Sequence, residues 1–271
     1  MFGFFRRRPT CPIPPIPKDW VETRLEWLIE QFGADVFLSR PLVLPNRDIL
    51  PEKFDDSDEA VRSLLDRICD LMGVESSEID LRIVKPQGHD LHLVDGGGRA
   101  SPTGFGGLYQ GGPIASKRGR RGGRVSSRST ISLNADELIN LIGLIGTMAH
   151  ELAHHRLLGE GRIRPDAFDH ELATDLTAIF HGFGLFLADG TRNWAASYDV
   201  WPGTNLKRPE YMTPPMCGYA LAHRAWLCNE LKPAWASQLS YDVRAAFKQG
   251  LRFLRETKDS CLAGLGVSGD A

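Results

Sequence analysis

Residues 134–159, NADELINLIGLIGTMAHELAHHRLLG, constrain the fold more than any other part of the chain. Asn134 is typical of a helix N-cap, and the apolar run after it predicts a continuous helix of about seven turns. This run also contains His150, Glu151 and His154. Burying ionisable groups among leucines costs several kcal/mol unless each one finds a partner. The sequence therefore predicts a buried helix whose polar side chains share a common partner.

The spacing of these three residues indicates a metal ion as that partner. His150 and His154 are four residues apart, so a helix presents both imidazole rings to one point in space. Glu151 lies about 100° around the helix from His150, where it can hold a water molecule rather than bind the metal. Catalytic zinc has three protein ligands and leaves a fourth position for water. The pattern therefore predicts a hydrolytic zinc site that still needs a third ligand.

The segment HELATD, residues 170–175, supplies the candidates for that ligand. Glu171 and Asp175 are four residues apart on a predicted helix, so they share a face. Glu171 can complete the coordination, while Asp175 can accept the outer N–H of a ligating histidine and fix its tautomer. His170 is the alternative, and it would give a three-histidine site like that of the SprT-type proteases. We expect Glu171, because only its register places a second carboxylate one turn later.

At these residues the chain resembles the gluzincins, the thermolysin-like clan of zinc metallopeptidases, in which HExxH is followed by ExxxD on a second helix. In this resemblance His150 and His154 match the paired zinc ligands and Glu151 matches the general base. Glu171 matches the carboxylate ligand, and Asp175 matches the acid that supports a ligating histidine. The match covers residues 150–175 and does not extend to a particular family within the clan.

The resemblance implies an α+β, zincin-like fold with a small, mostly antiparallel sheet, an active-site helix and a largely helical C-terminal half. It also implies a side chain that stabilises the oxyanion formed on the substrate carbonyl. Tyr219 and His223, four residues apart on a predicted helix, are the catalytic candidates for this role. Tyr198 and Tyr211 remain alternatives.

Charge and composition limit the other functions that the chain can have. A net charge of −2 over 271 residues gives no general attraction to nucleic acid or to anionic membranes. The five cysteines are widely spaced, which is not typical of a disulfide framework. No apolar stretch is long enough to span a bilayer. We therefore expect a cytoplasmic protein without a transmembrane segment, whose partner is a peptide or protein substrate and whose oligomeric state the sequence does not reveal.

Four ranges describe the predicted organisation. Residues 1–18 are expected to be a flexible Pro-rich arm, residues 19–262 a single metallopeptidase domain, and residues 263–271 a tail. Within the domain, residues 95–130 are rich in glycine and arginine and are expected to be a mobile loop insert or lid.

Several elements can be placed inside the domain. Helices are predicted from Asp19 to about Phe32, between a Ser57 cap and Gly73, and after Pro165. IDLRIV and DLHLV alternate polar and apolar residues around KPQGH, which predicts an antiparallel hairpin. GGLYQ and STISL are predicted strands.

We therefore expect a zinc-dependent endopeptidase that binds its substrate in extended form along GGLYQ or STISL. The alternative, from a different class, is a nucleic-acid-associated binding module. Its zinc site would be structural or inactive, and its basic Gly/Arg loop KRGRRGGR would bind the nucleic acid.

Overall fold

The computed structural model describes residues 8–85, 106–111, 128–189 and 198–265. The chain groups into two compact units, where the sequence predicts one domain. The first unit combines Met1–Leu42 with Arg192–Ala271, and the second comprises Val43–Thr191. No helix among the described residues has both the length and the apolar character needed to cross a membrane.

The α-helices and strands follow one another in an α+β order. The α-helices are α1 (Pro15–Phe32), α2 (Ala34–Leu38), α3 (Asp58–Met72), α4 (Leu141–His154), α5 (His170–Ala178), α6 (Gly184–Asp189), α7 (Pro214–Leu227) and α8 (Tyr241–Thr257). The strands are β1 (Ile79–Val84), β2 (Gly107–Gln110), β3 (Ser129–Asn134), β4 (Tyr198–Val200) and β5 (Lys207–Pro209). Short 3₁₀ segments are Ser76–Glu78, Ala135–Ile139, Ala234–Gln238 and Cys261–Leu265, and π-helical segments are His155–Gly159 and Ile179–Phe183.

Helix α3 follows the sequence prediction closely. The Ser57 side chain accepts a hydrogen bond from the Ala60 amide at 3.2 Å, and Gly73 ends the helix in the left-handed conformation at φ 68°. The amphipathic pattern predicts one buried face, and its apolar residues are buried except Leu71, which is 37% exposed; the buried ones are Val61, Leu64, Leu65 and Ile68. Met72 takes the buried position in its place.

Helix α1 begins earlier than predicted, so the Pro-rich arm is shorter than residues 1–18. The helix starts at Pro15, whose fixed φ and missing N–H suit the first turn of a helix. It ends at Phe32, as predicted, and is followed by Gly33 at φ 93°. Residues 1–7 lie outside the described part of the chain.

The central sheet is mixed, so the prediction of a mostly antiparallel sheet is wrong for it. Its strand order is β1-β3-β2, in which β1 and β3 are parallel and β2 and β3 are antiparallel. The long connection between β1 and β3 allows a parallel crossover, which a short hairpin turn does not. The DLHLV half of the predicted hairpin lies outside the described residues. In the other unit, β4 and β5 form an antiparallel pair.

The predicted seven-turn helix is divided. Asn134 does act as a cap, but for the 3₁₀ segment Ala135–Ile139. Asn140 then caps α4 by accepting a hydrogen bond from the Gly143 amide at 3.1 Å. Asparagine bonds readily to nearby main-chain groups, so it starts a new helix here rather than continuing the first. The chain continues past α4 as a π-helical turn.

The helix predicted after Pro165 is also shorter and interrupted. Helix α5 begins only at His170, and Gly182 at φ 100° breaks the helical path between α5 and α6. Helix α4 packs against α5, α6, α3 and β2 within the second unit. Gly146 allows this close packing, because a Cβ there would lie 3.0 Å from the Phe186 carbonyl oxygen of α6. The result is a buried α4 whose last turn faces α5.

Candidate metal centre

The last turns of α4 bring the two predicted histidines together. The rings of His150 and His154 have centroids 4.7 Å apart and are mutually perpendicular. Both residues are buried, at 6% and 7% exposed. The i, i+4 spacing on a regular helix therefore places the two imidazole rings next to each other, as the sequence predicts.

Helix α5 adds Glu171 to this pair. Its Oε2 atom lies 3.1 Å from Nε2 of His150 and 3.3 Å from Nε2 of His154. One potential ligand atom from each of the three residues lies within 4.8 Å of the others. The predicted grouping of His150, His154 and Glu171 is therefore confirmed, and among the described residues it is the only such group.

The outer ring nitrogens of both histidines also contact α5. Nδ1 of His150 lies 2.9 Å from Oδ1 of Asp175, the contact that the ExxxD spacing predicts. Nδ1 of His154 lies 3.2 Å from the Thr174 hydroxyl. Sequence reasoning missed Thr174, although its position one turn after Glu171 and next to Asp175 places it on the same helix face.

The orientation of these groups fits a divalent cation. A carboxylate accepts hydrogen bonds, so the Asp175 contact assigns the proton of a neutral His150 ring to Nδ1 and the lone pair to Nε2. His154 is held in the same sense by Thr174. While both rings are neutral, two lone pairs face one oxygen of Glu171, an arrangement that repels unless a proton or a metal cation lies between them. Two imidazoles and one carboxylate are a ligand set typical of zinc.

The electrostatics of Glu171 follow from the same arrangement. Burial alone would raise the pKa of this carboxyl, but when ring protons rather than a cation lie against it, the charge of His154 and hydrogen bonds from His150, His154 and His170 outweigh the effect of burial. The pKa of Glu171 is therefore held well below its ordinary value. The side chain is ionised at neutral pH, as a metal ligand must be.

His170, the alternative third ligand, lies at the edge of this group. Its Nε2 atom is 3.2 Å from Oε1 of Glu171, the carboxylate oxygen that does not face the paired histidines. Its Nδ1 atom is 3.2 Å from the Ala167 carbonyl oxygen. His170 therefore contacts Glu171, the candidate third ligand, from the side opposite His150 and His154.

Glu151 lies between α4 and strand β2, and it is only 5% exposed. A Cβ atom on Gly107 would lie 2.9 Å from Oε1 of Glu151 and 2.6 Å from Cγ2 of Thr147. Only glycine lets the strand approach this side chain so closely. The sequence contains GG before LYQ, but nothing in it indicates that Gly107 would meet Glu151.

Strand β2 also contacts a metal-ligand candidate through Tyr109. The Tyr109 ring stacks on His154 at a centroid distance of 6.0 Å and an angle of 17°. Its hydroxyl lies 3.0 Å from Ser129 Oγ, which lies 3.0 Å from Nδ1 of His155. Burial lowers the pKa of His155, so its ring is neutral near neutral pH. These contacts link the sheet to His154 at the end of α4 and to His155 at the start of the π-helical segment.

Tyr219 and His223, the predicted oxyanion donors, lie in the other unit. Both are fully buried. Tyr219 donates its hydroxyl proton to Oε1 of Glu22 at 2.7 Å, and Nε2 of His223 lies 3.1 Å from Ser260 Oγ. These contacts engage the groups that an oxyanion donor would use, so the catalytic role of both residues stays a prediction without structural support. The side chain of Tyr198 lies outside the described part of the chain.

Most of the Gly/Arg-rich insert, including KRGRRGGR, lies outside the described residues. Of its basic side chains, Arg128 is described, and it pairs with Asp80 of β1 at 3.4 Å. The described parts of the insert are Gly106–Gly111, which includes β2, and the start of β3.

Comparison of the chain with protein-family models, with curated proteins and with solved structures finds no match. The candidate metal centre therefore has to be interpreted from its own chemistry.

Proposed function

We propose that the chain is a zinc-dependent metallopeptidase whose zinc ion is bound by His150, His154 and Glu171. The observation that carries this proposal is the set of partners that the ring nitrogens of His150 and His154 contact. Both outer nitrogens contact acceptors, at 2.9 Å and 3.2 Å, and both inner nitrogens face a buried carboxylate. Such a group can hold a cation between two ring nitrogens and a carboxylate oxygen, and these ligand types are those of catalytic zinc.

Three protein ligands leave one zinc position for water, which is the pattern of catalytic rather than structural sites. A bound zinc ion would supply a Lewis acid that lowers the pKa of water and polarises a peptide carbonyl. Glu151 accepts the water proton as the general base and then delivers it to the leaving amine. Its burial beside β2 holds the carboxylate in one place for both transfers.

Strand β2 is the element that suits an extended substrate. The Asn134 amide donates to the Gly106 carbonyl at 3.0 Å, so in the antiparallel alternation the main-chain groups of Gly107 and Tyr109 point away from β3. Among the described strands, none pairs with this outer edge of β2. A peptide added there would form main-chain hydrogen bonds beside Glu151. STISL, the other candidate, forms the central strand β3 and has no free edge.

The decisive experiment combines metal analysis with cleavage of an unstructured protein, in wild type and in Glu151→Gln. Glutamine keeps the shape of the side chain but cannot accept a proton. Zinc content should stay at about one ion per chain while hydrolysis falls by about 10²- to 10⁴-fold. Glu59→Gln on α3 makes the same chemical change at an exposed position and should alter neither quantity.

Full activity in Glu151→Gln would contradict the mechanism. A wild-type chain that holds zinc but cleaves nothing, and that binds single-stranded nucleic acid with a steep salt dependence, would favour the nucleic-acid-associated module instead.

A further inference from the structure

We propose that Thr174 is a positioning residue that fixes which ring nitrogen of His154 is presented to the metal. The inference rests on the proposed metal centre and concerns a residue that the HExxH and ExxxD patterns leave undefined. Thr174 is fully buried on α5, between Glu171 and Asp175 in the sequence.

The hydroxyl group of Thr174 has one proton and can donate one hydrogen bond. Thr174 Oγ1 donates to the carbonyl oxygen of His170 at 2.8 Å, so its proton is already used. The same oxygen lies 3.2 Å from Nδ1 of His154 and can only accept there. Nδ1 of His154 therefore carries the ring proton.

The consequence appears at the opposite nitrogen. A neutral imidazole has one N–H and one lone pair, so a protonated Nδ1 leaves the lone pair on Nε2. Nε2 of His154 is the atom that faces Glu171 Oε2 at 3.3 Å. Thr174 thus selects the tautomer that can bind a metal shared with Glu171.

Threonine is well suited to hold this orientation. Its β-branched side chain has few rotamers in a helix, and the bond to the carbonyl four residues earlier selects one of them. Glu171, Thr174 and Asp175 occupy one face of α5. One helical turn therefore supplies a metal ligand and the acceptors for both histidines.

The two acceptors differ in charge. Nδ1 of His150 contacts a carboxylate and Nδ1 of His154 contacts a neutral hydroxyl, so loss of Asp175 should lower zinc affinity more than loss of the Thr174 hydroxyl.

The chain offers a matched control on the same helix. Thr177 is also fully buried and donates to the carbonyl oxygen of Ala173, four residues earlier, at 2.7 Å. Valine at either position replaces the hydroxyl with a methyl group and removes the same type of main-chain bond. Only the change at position 174 also removes the acceptor of His154.

Zinc affinity, measured by competition with a chromophoric chelator, tests the proposal. We expect Thr174→Val to weaken binding about 10-fold, within the range for outer hydrogen-bond partners of a ligand. Thr177→Val should bind zinc as the wild type does. Thr174→Ser keeps the hydroxyl and should restore most of the affinity.

The tautomer is read directly from ¹⁵N NMR of the histidine rings in the zinc-loaded chain. We expect a slowly exchanging Nδ1 proton on His154 in the wild type and in Thr174→Ser, because both keep a hydroxyl oxygen that accepts from Nδ1. This measurement decides the question even if Thr174→Val fails to fold. A proton on Nε2 of His154, or an Nδ1 proton that exchanges as fast as that of a ring without a hydrogen bond, would overturn the proposal.

The affinity results separate this inference from the proposed function. If the wild type binds zinc and the two valine variants bind it equally well, the role of Thr174 is refuted while the metal centre stands. If the wild type binds no zinc, the metal centre and this inference fall together.

Discussion

The two compact units each contain a buried group of carboxylate and histidine side chains, and only one of them is suited to bind a metal. In the second unit is the Glu171 cluster: His150, His154, Glu171, Thr174 and Asp175. In the first unit is the Glu22 cluster: Lys18, Glu22, Tyr219, His223 and Ser260. Each contains a buried carboxylate close to a histidine ring, so that feature alone does not distinguish them. The difference is in which atoms carry protons.

The Glu22 carboxylate is surrounded by hydrogen-bond donors. Oε1 accepts from the Tyr219 hydroxyl at 2.7 Å and lies 3.2 Å from Nζ of Lys18, and Oε2 accepts from the Cys261 amide at 3.2 Å. Each of these partners brings its own proton or positive charge. The carboxylate is therefore satisfied without a cation.

The Glu171 carboxylate instead faces two ring nitrogens whose protons are directed elsewhere. Asp175 and Thr174 accept hydrogen bonds from Nδ1 of His150 and of His154. In neutral rings the Nε2 lone pairs then point at Glu171. In the Glu22 cluster Nδ1 of His223 also contacts an acceptor, the Tyr219 carbonyl oxygen at 3.1 Å, but other groups donate to the carboxylate. A buried carboxylate therefore indicates a metal when its partners are two histidines whose outer nitrogens both contact acceptors. When donors surround the carboxylate, it indicates a structural network.

The largest expected effect comes from removing one histidine from each cluster. His154→Ala should abolish stoichiometric zinc binding and with it the stabilisation that zinc adds to the folded chain. His223→Ala should destabilise the chain by creating a cavity and removing hydrogen bonds, but zinc content should not change. Zinc analysis and melting temperature with and without zinc measure both effects. Equal zinc content in the two variants would break the comparison.

The next effect concerns the third ligand within the Glu171 cluster. Glu171→Ala should weaken zinc binding by more than the roughly 10- to 100-fold typical of an outer partner, because it removes a ligand. His170→Ala should have a smaller effect, since His170 contacts the other carboxylate oxygen. Chelator competition gives both affinities. The reverse ranking would place the protein in the three-histidine class.

A smaller effect tests whether the Glu171 cluster serves a reaction. Gly107→Ala would force a Cβ against Glu151 and Thr147, which must shift. Displacing a catalytic group by a fraction of an ångström to an ångström should lower hydrolysis by about 10- to 100-fold while zinc binding is kept. Gly111→Ala is the control, because its Cβ would meet Tyr109 at an ordinary 3.5 Å. Equal activity in the two variants would mean that the position of Glu151 does not matter.

The parts of this site that the sequence predicts depend on local helical spacing. His150 with His154, and Glu171 with Asp175, are one turn apart, so a regular helix is enough to place them. The Ser57 and Gly73 caps of α3 are also predictable, because each depends on main-chain groups only a few residues away. The meeting of the two helices was suggested by chemistry, because the paired histidines need a third ligand.

The parts that were missed depend on contacts between distant residues or on a choice between local alternatives. Glu22 and Tyr219 are 197 residues apart, so no local pattern joins them. The approach of Gly107 to Glu151 depends on the register of β2, which a short strand does not reveal. Asn140 can continue a helix or cap a new one, and only the packed structure decides between these.

The smallest effect concerns the Glu22 cluster and depends on pH. Burial alone would raise the pKa of Glu22, but hydrogen bonds from His223 and Tyr219, with the charges of His223 and Lys18, lower it from 4.5 to about 2. A carboxyl whose pKa is lower in the folded chain stabilises that chain above its unfolded pKa. This contribution is lost as the pH falls from about 4.5 towards about 2. Glu22→Gln should therefore cost about 2 kcal/mol at pH 7, less than the full shift implies because glutamine keeps some hydrogen bonds.

Urea unfolding of the zinc-free chain at several pH values measures this difference. The gap between wild type and Glu22→Gln should be widest at neutral pH and should close near pH 2. Glu26→Gln, one turn later on the exposed side of α1, should show no comparable gap. Because the Glu22 cluster needs no cation, adding zinc at pH 7 should leave the gap unchanged. A gap that depends on zinc would mean that the two clusters are not the separate kinds of site that their hydrogen bonds indicate.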